Sequence, residues 1–409
     1  MAMRVSVMVM ESAHVRSVAQ AAGFAKRRVS LQAGLQANPS LTGMGYRRAM
    51  RVDTHILRAG ETLPHDLRQA WQSLRDDRTA SPYFAPGYAE AVASVGAPVR
   101  VAVTGRDTPE ALIALQGGRT ARPAGAPVSD YHGIIGGADT EAFLQAAGVE
   151  VLGVNGWIGA GDGLEAAPVC RIDLTGGFKA WRDSRDSSYS RHAKSGRRRA
   201  RKAAEEVGEL RCDWRTRNVD VFNQLVAWKR AQYASTGKYD VLAAWPGDLI
   251  RRLWEVGTED VRAEMHALWF GDRLASVDLG LTDGRIFHSW IVAYDPDLAS
   301  YSPGILLLEA LVEAAGGLGY TTLDLGVGLD GYKRHYANVD AVAGVGVIRT
   351  AGARAQVSRL YGAMEPKVEL LARLRRRYTQ VAACEPVWSG RLKAMGAAVG
   401  ANLSAGSGG

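Results

Sequence analysis

Hydrophobic positions change their period along this chain, and the changes divide it into elements. Leu67, Trp71 and Leu74 recur at helical spacing in LPHDLRQAWQSLRDDR, next to Pro64 near its start. SPYFAPGYAEAVASVG predicts a second short helix. Residues 52–60, VRVAVTG and EALIALQGG predict strands, and RTARPAGAPVSDYHG, rich in Pro, Gly and Ala, predicts a loop. Helices follow at 141–148 and 178–183, with strands near 150–154 and 169–174. Residues 190–211 predict a basic helix that turns acidic at Glu205 and Glu206. Val221, Leu225 and Trp228 mark one face of an amphipathic helix over 219–234, and another helix covers about 247–256.

The period then switches to two. AEMHALWF, RLASVDLGL and RIFHSWIVAYD, separated by Gly271-Asp272 and Thr282-Asp283-Gly284, predict a three-strand meander. YSPGILLLEALVEAAGGLGY predicts a helix stopped by Gly316 and Gly317. TTLDLGVG predicts a strand, YKRHYANV a short helix or turn, AVAGVGVIRT a strand, and about 355–378 a long basic helix before a flexible tail. Strand alternation places His288, Trp290, Val292 and Tyr294 on one face. It places Asp324 opposite Leu323 and Leu325, and Ser276 and Asp278 opposite Ala275, Val277 and Leu279.

With 47% hydrophobic and 22% charged residues, the 409-residue chain has a globular balance and the length of two domains. Three cysteines far apart, Cys170, Cys212 and Cys384, form no zinc spacing, so no metal is expected and the thiols read as free in a reducing cytoplasm. No apolar run reaches transmembrane length, and the N-terminus has no convincing signal peptide. The net charge of +8 is uneven. Residues 1–51 hold eight Lys/Arg and one acid, so the leader reads as a disordered arm, or as a start placed upstream of a true start at Met50. The remaining 358 residues carry 42 basic and 41 acidic groups, which does not support a DNA-binding body.

Ser302 suits a helix N-cap, Pro303 the first helical position, and Gly304 a close backbone approach. The N–H groups of 304–306 and the positive helix end would then face an anion. Around this point Tyr294-Asp295-Pro296, Tyr301-Ser302-Pro303-Gly304, Gly319, Leu323-Asp324-Leu325-Gly326, Gly328 and Tyr332-Lys333 occur in series. The series resembles the acetyltransferase family associated with cellulose biosynthesis (the CelD/BcsL type), in the GNAT superfamily and related to the FemAB peptidoglycan transferases. SPYFAPGY, Ser129-Asp130-Tyr131, the basic helix at 191–202, and Lys229 near Gln232 extend the resemblance over roughly 54–350. The sequence SYSPG stands where the superfamily usually carries a Q/R-x-x-G-x-G/A phosphate loop, and FemAB-type relatives show a similar departure.

The resemblance implies an α+β protein of two GNAT-like halves, with mixed β-sheets flanked by helices and a C-terminal helix. The halves would span 52–190 and 212–350, joined by a linker helix at 191–211 and followed by a helix and tail at 351–409. It implies direct transfer of acetyl, or another acyl group, from acetyl-CoA to an amino sugar or polysaccharide precursor in exopolysaccharide or holdfast synthesis. The alternatives are a FemAB-like transferase using aminoacyl-tRNA, and a degenerate fold acting as a cyclic di-GMP effector. Contact with the inner membrane would be peripheral.

Tyr301, Ser302, Pro303, Gly304 and Ile305 would bind the donor. Asp324 or His288 would serve as base and Tyr332 or Tyr301 as acid, while Asp278, Tyr294, Lys333 and Lys229 would hold substrate. For His288 a hydrogen-bonded structural role competes, for Asp324 a backbone-bridging one, and for Lys333 that of a solvated surface charge. Arg197, Arg198, Arg199 and Arg201, with Arg191, Lys194 and Lys202, offer contact to an anionic partner: a carrier pyrophosphate, tRNA, a cyclic dinucleotide or a membrane surface. A solvated linker helix is the competing reading. Arg373, Arg375, Arg376 and Arg377 form a second basic cluster.

Overall fold

In a computed structural model the described residues are 50–395, apart from 97, 106–107, 160, 162, 330, 365–368 and 386; the side chains of 364 and 369–376 also lie outside the description. The leader, residues 1–49, falls outside it as well. Contacts group the chain from Arg51 onward into one unit.

That unit runs through one order of elements twice. The first pass is β1 (Val52–Leu57), α1 (His65–Leu74), α2 (Pro86–Val95), β2 (Val99–Thr104), β3 (Ala111–Gly117), β4 (Thr120–Pro123), the two-residue β5 (Ile135–Gly136), α3 (Thr140–Ala146), β6 (Val151–Trp157) and β7 (Glu165–Asp173). Two helices, α4 (Gly177–Asp183) and α5 (Ser187–Glu206), connect the passes. The second pass is β8 (Leu210–Asp213), α6 (Val219–Ser235), α7 (Trp245–Glu255), β9 (Arg262–Phe270), β10 (Arg273–Thr282), β11 (Ile286–Tyr294), α8 (Pro303–Ala314), β12 (Thr322–Val327) and β13 (Ala341–Arg349). Apart from the two-residue β5, each pass is a strand, two helices, three antiparallel strands, a helix and two strands.

All described strands join one mixed sheet, in the order β1-β2-β3-β4-β6-β13-β7-β12-β11-β10-β9-β8, with β5 against β3. The last strand of each pass has crossed to the other. β13 pairs antiparallel with β6, β7 pairs antiparallel with β12, and β13 and β7 pair with each other at the centre. Neither half therefore completes its own sheet.

Local sequence explains the helix starts. Asp186 accepts the N–H groups of Ser188 (2.8 Å) and Tyr189 (3.1 Å) to cap α5, and Asn218 accepts that of Asp220 (2.8 Å) to cap α6. Pro86 and Pro246 occupy first-turn positions of α2 and α7, where a missing N–H costs nothing. Helix α8 buries Leu306, Leu307, Leu308, Leu311 and Val312. It lies between the sheet and α5, whose Tyr189, Ala193, Gly196 and Ala203 form the buried stripe. A Cβ at Gly196 would stand 4.0 Å from Leu306, so the small residues allow the two helices to approach closely.

Two elements depart from the sequence reading. Part of the expected loop after β3 is strand β4, because Ala121 is buried and the segment is paired on both edges, with β3 and with β6. The long basic helix appears as α9 (Ala353–Met364) and α10 (Glu369–Cys384). Pro366, between them in sequence, lacks the N–H that one continuous helix would use. No helix among the described residues is long and apolar enough to cross a membrane.

Ala343 on β13 is buried opposite Ala167 of β7, while its neighbour Val342 is 68% exposed. Ala343→Asp is expected to lower unfolding stability in urea by about 3 kcal/mol or more, since it buries a charge without a partner. Val342→Asp is expected to change it by no more than about 0.5 kcal/mol. Equal effects would contradict the exchanged-strand arrangement.

Candidate active site

Strands β11 and β12 are parallel neighbours over only three residue pairs: Ile286 with Thr322, Phe287 with Leu323, and His288 with Asp324. Beyond the third pair they diverge, leaving a notch with His288 and Asp324 at its apex. Two irregularities shape it. The register of β11 against β10 passes from Leu279–Ile291 to Gly280–Ser289, so Trp290 is the extra residue of a β-bulge. On β12 the pairing with β7 breaks between Asp324 and Val327, where Gly326 takes φ +79°. A Cβ at Gly326 would stand 3.1 Å from an Asp130 oxygen, so both the conformation and the close approach favour glycine.

The bulge corrects the expected alternation. His288 pairs with Leu281 and Val292 with Asp278; because residues 278 and 281 face opposite ways, so do His288 and Val292. Ser289, on the Asp278 side, donates its hydroxyl to that carboxylate (2.8 Å).

His288 is fully buried between two carboxylates. Nε2 donates to Asp130 Oδ2 at 2.8 Å, and Nδ1 lies 3.4 Å from Asp324 Oδ1, a charge–charge contact. Burial alone would depress the imidazole, but the bond to Asp130 and the Asp324 carboxylate outweigh it and raise the pKa to about 9. Burial would likewise raise Asp324, yet His288, Arg171 and Tyr131 hold it at about 2. Tyr131 donates to Asp324 Oδ1 (2.7 Å), the Gly326 N–H reaches the same oxygen (2.8 Å), and Arg171 Nε meets Oδ2 (3.3 Å). At neutral pH His288 is thus an imidazolium and Asp324 a carboxylate. Rings of Tyr83 (5.0 Å between centroids) and Tyr131 (5.5 Å) lie edge-on to His288, and Trp290 Nε1 donates to the Val128 carbonyl (2.6 Å). Asp130 is the member that reaches solvent, its side chain 32% exposed.

The other anticipated residues divide around this apex. Asp278 is buried, and desolvation pushes its carboxyl up to about 7 despite the Ser289 bond and the His288 and Lys229 charges. Lys229 donates to the Val292 carbonyl (3.2 Å), and burial, with Lys238 nearby, brings it down to about 8. Burial also raises the Tyr332 hydroxyl, which lies within electrostatic reach of Asp278 on β10 and Cys170 on β7, strands on either side of the notch pair. Lys333 donates to the Leu325 carbonyl (2.6 Å) and so braces β12 instead of facing solvent.

The donor segment is built differently from the sequence expectation. Ser302 has φ 55° and ψ 56°, and its hydroxyl does not cap α8; a cap needs extended backbone, whereas here the chain turns left-handed from the 3₁₀ turn 296–301 straight into the helix. The Ser302 carbonyl takes the N–H groups of Ile305 (3.0 Å) and Leu306 (3.2 Å), so these are not the anion donors expected. Pro303 has no N–H, which leaves Gly304 with the first N–H of α8. Tyr294, at the far end of β11, lies beside it: a Cβ at Gly304 would be 4.0 Å from the Tyr294 ring and 3.8 Å from Ser276 Oγ. Tyr301 points away from the apex, donating to Glu206 of α5 (2.6 Å). Along α5, Arg197, Arg198 and Arg201 are exposed and Arg199 donates to Ser195 (2.9 Å). Arg377 donates to the Gly237 carbonyl (2.8 Å), while the side chains of Arg373, Arg375 and Arg376 lie outside the description. Among the described residues no group of His, Cys, Asp and Glu is placed to hold a metal.

Residues 190–334 match the acetyltransferase (GNAT) domain family. The matched segment runs from α5 to the turn after β12 and carries His288, Asp324 and Gly304. Asp130, Tyr131, Tyr83 and Arg171 come from outside it. No curated protein matches the chain in sequence. Among solved structures, FemX is similar at 10% identity over 73% of this chain and 98% of that one, with a TM-score of 0.45. A tandem GNAT protein from the clavulanic acid biosynthesis pathway is similar at 11% identity, over 74% and 100%, with a TM-score of 0.41. L-PGS from Bacillus licheniformis is similar at 13% identity, over 75% and 98%, with a TM-score of 0.40.

Sequence reasoning passed over Asp130, Tyr131, Tyr83 and Arg171 as site residues. A signal was present for Asp130, Tyr131 and Tyr83, since Ser129-Asp130-Tyr131 and SPYFAPGY stood in the resemblance, but none for Arg171, and no spacing in sequence ties any of the four to β11 and β12.

The imidazole of His288 is expected to titrate near pH 9 by NMR. A raised pKa stabilises the fold fully below the unfolded value of about 6.5, and that stability, about 3 kcal/mol, fades as pH rises through 9. Asp324→Asn should lower the His288 pKa and flatten the loss of stability between neutral and alkaline pH. A wild-type His288 titrating at or below its ordinary value would refute the charge arrangement.

Proposed function

We propose that the protein transfers an acyl group directly from a thioester donor, acetyl-CoA or another acyl-CoA, to an amino group. The observation that carries the reading is the notch, with a buried charged cluster that reaches solvent at Asp130 at its apex and the start of α8 at its mouth. From His288 to Tyr294 the strand covers six residues, ~20 Å at the rise of an extended chain. An extended donor arm can span that distance, with its anionic end at the Gly304 N–H and the helix dipole and its thioester at the apex.

Each chemical requirement has a residue. Asp130 faces the cleft, attracts an ammonium acceptor and takes one proton from it, which frees the nitrogen lone pair to attack the thioester carbon. His288, already protonated, is no base, and Asp324, held at about 2, is a weak one; they hold Asp130 in place and balance its charge. The bulge at Trp290 turns backbone N–H away from β10, a donor for the developing oxyanion. The C–N bond forms and the C–S bond breaks; Tyr332, whose hydroxyl burial keeps protonated at neutral pH, gives its proton to the leaving thiolate and recovers one from the nitrogen, which sheds its second proton as the amide forms. The resemblance names the acceptor class: an amino sugar of an exopolysaccharide or holdfast precursor, lipid-linked or free.

One observation favours a second reading. The exposed Arg191, Lys194, Arg197, Arg198, Arg201 and Lys202 lie on α5, which packs across α8, so the donor mouth is flanked by more positive charge than one pyrophosphate needs. A polyanionic donor such as aminoacyl-tRNA fits that helix, and so does a cyclic dinucleotide as effector.

Calorimetric titration with acetyl-CoA is expected to show saturable binding that Gly304→Glu abolishes, because the position has room for a side chain but not for a negative charge beside an anion. No binding to the wild-type protein would overturn the acyl-CoA reading and bring charged tRNA and cyclic di-GMP into the cell next. Asp130→Asn is expected to lower kcat by roughly 10²–10⁴-fold while leaving donor affinity unchanged; an unchanged kcat would remove Asp130 as the base.

A further inference from the structure

Six of the twelve large hydrophobic side chains exposed among the described residues are Val357, Leu360, Tyr361, Val387, Trp388 and Leu392. They belong to two helical pieces near the C-terminus, and α9 is inside out. It buries Ala355 at 0% exposure and turns the small Ser358 and Gly362 of the same face towards the body, where Arg349 Nε donates to Ser358 (2.9 Å) and Glu150 accepts the Arg354 N–H (2.8 Å). Val357, Leu360 and Tyr361, at i, i+3 and i+4, occupy the opposite side and are 52%, 67% and 53% exposed. In the helix at 388–395, Trp388 and Leu392 share a face at i and i+4 and are 64% and 68% exposed. The chain before it is anchored, with Trp245 donating to the Ala383 carbonyl (3.0 Å) and Tyr239 to Glu385 (2.8 Å).

The two pieces border one face of β4. Thr120 lines the shallow groove, about 390 Å³, that Val357 and Tyr361 also line, and Arg122, two residues on and therefore on the same face, is within electrostatic reach of Cys384 and Arg391. Charge distinguishes the C-terminal stretch of sequence from the rest. Residues 351–409 carry nine Lys/Arg and three acids, net +6, whereas residues 52–350 carry 33 and 38, net −5.

We infer that α9 and the helix at 388–395 form a docking surface for an anionic lipid bilayer. Outward Trp, Tyr and Leu among arginines, with few acids, match the chemistry of the headgroup boundary, where aromatic and aliphatic side chains enter and guanidinium groups meet phosphate. A second copy meeting this surface with its own would bring Arg354, Arg359, Arg391 and Lys393 against the same four cations, which opposes self-association through it. The basic helix α5, the sequence's first candidate for a membrane contact, exposes charge without an apolar stripe.

The test is sedimentation of the full chain with vesicles. Partition into phosphatidylglycerol-rich vesicles is expected, weakening with salt and falling strongly on pure phosphatidylcholine. The paired variants Leu360→Ser/Tyr361→Ser and Trp388→Ser/Leu392→Ser should each lower the partition coefficient at least ~10-fold, since each removes two membrane-inserting side chains. Because these side chains are exposed, thermal melting should be unchanged, which separates lost binding from lost folding. No partition of the wild-type chain, or equal partition of the variants, overturns the inference. So does a concentration-dependent dimer that the same variants dissolve, because the occupant is then a second copy. None of these readouts depends on acyl transfer.

Discussion

The structure depends on one exchange. β13, made last, lies between β6 and β7, made before the midpoint of the chain, and β7 completes the half to which β13 would belong by sequence order. Hydrogen-bonded strands cannot slip by one residue without turning their buried faces to water, so the two halves are held in register by backbone bonds and not by surface contact alone. That rigidity lets a loop of the first half, carrying Asp130 and Tyr131, be set against His288 and Asp324 of the second. Hydrogen-bond geometry across a site needs tolerances well below an ångström-scale drift, and residues on freely moving domains would not keep it.

The apex then follows from electrostatics. A histidine buried as deeply as His288 would be neutral if left alone, because desolvation disfavours its charge. Two carboxylates reverse that outcome, and Arg171, Tyr131 and the Gly326 N–H in turn keep Asp324 ionised where burial would protonate it. His288 and Asp324 are mutually dependent: each helps to hold the other charged. Asp278, a few residues away but on the opposite face, shows the alternative, a buried carboxyl with one hydroxyl partner and a pKa pushed up to about 7.

The divergence of β11 and β12 and the polarity of the surface serve different ends of the molecule. A notch between parallel strands exposes backbone polar groups that an extended ligand can satisfy. Its mouth abuts α8 and the basic helix α5. The outward apolar stripe lies instead along α9 and the helix after α10, against the first half's β4. The notch and the outward apolar stripe are thus carried by separate parts of one fold.

Much of the architecture was legible in the chain itself. The helices and the three-strand meander follow from period alone, since burial of one face imposes a 3.6- or 2-residue repeat wherever it occurs. Polar residues inside apolar strands, His288, Asp278 and Asp324, were visible for the same reason. What sequence could not settle was set by contacts between distant segments. The bulge at Trp290 shifts the facing of β11 by one residue, and its cause is pairing with β10, which no local preference encodes. Ser302 loses its capping role because the preceding turn enters the helix left-handed. Asp130, some 160 positions before His288, becomes its partner only when the sheet closes, and the raised pKa of His288 follows from that proximity. Sequence by itself determined which segments must be buried; the tertiary structure decided which charges are buried together, because electrostatic energy depends on distance in space and not along the chain.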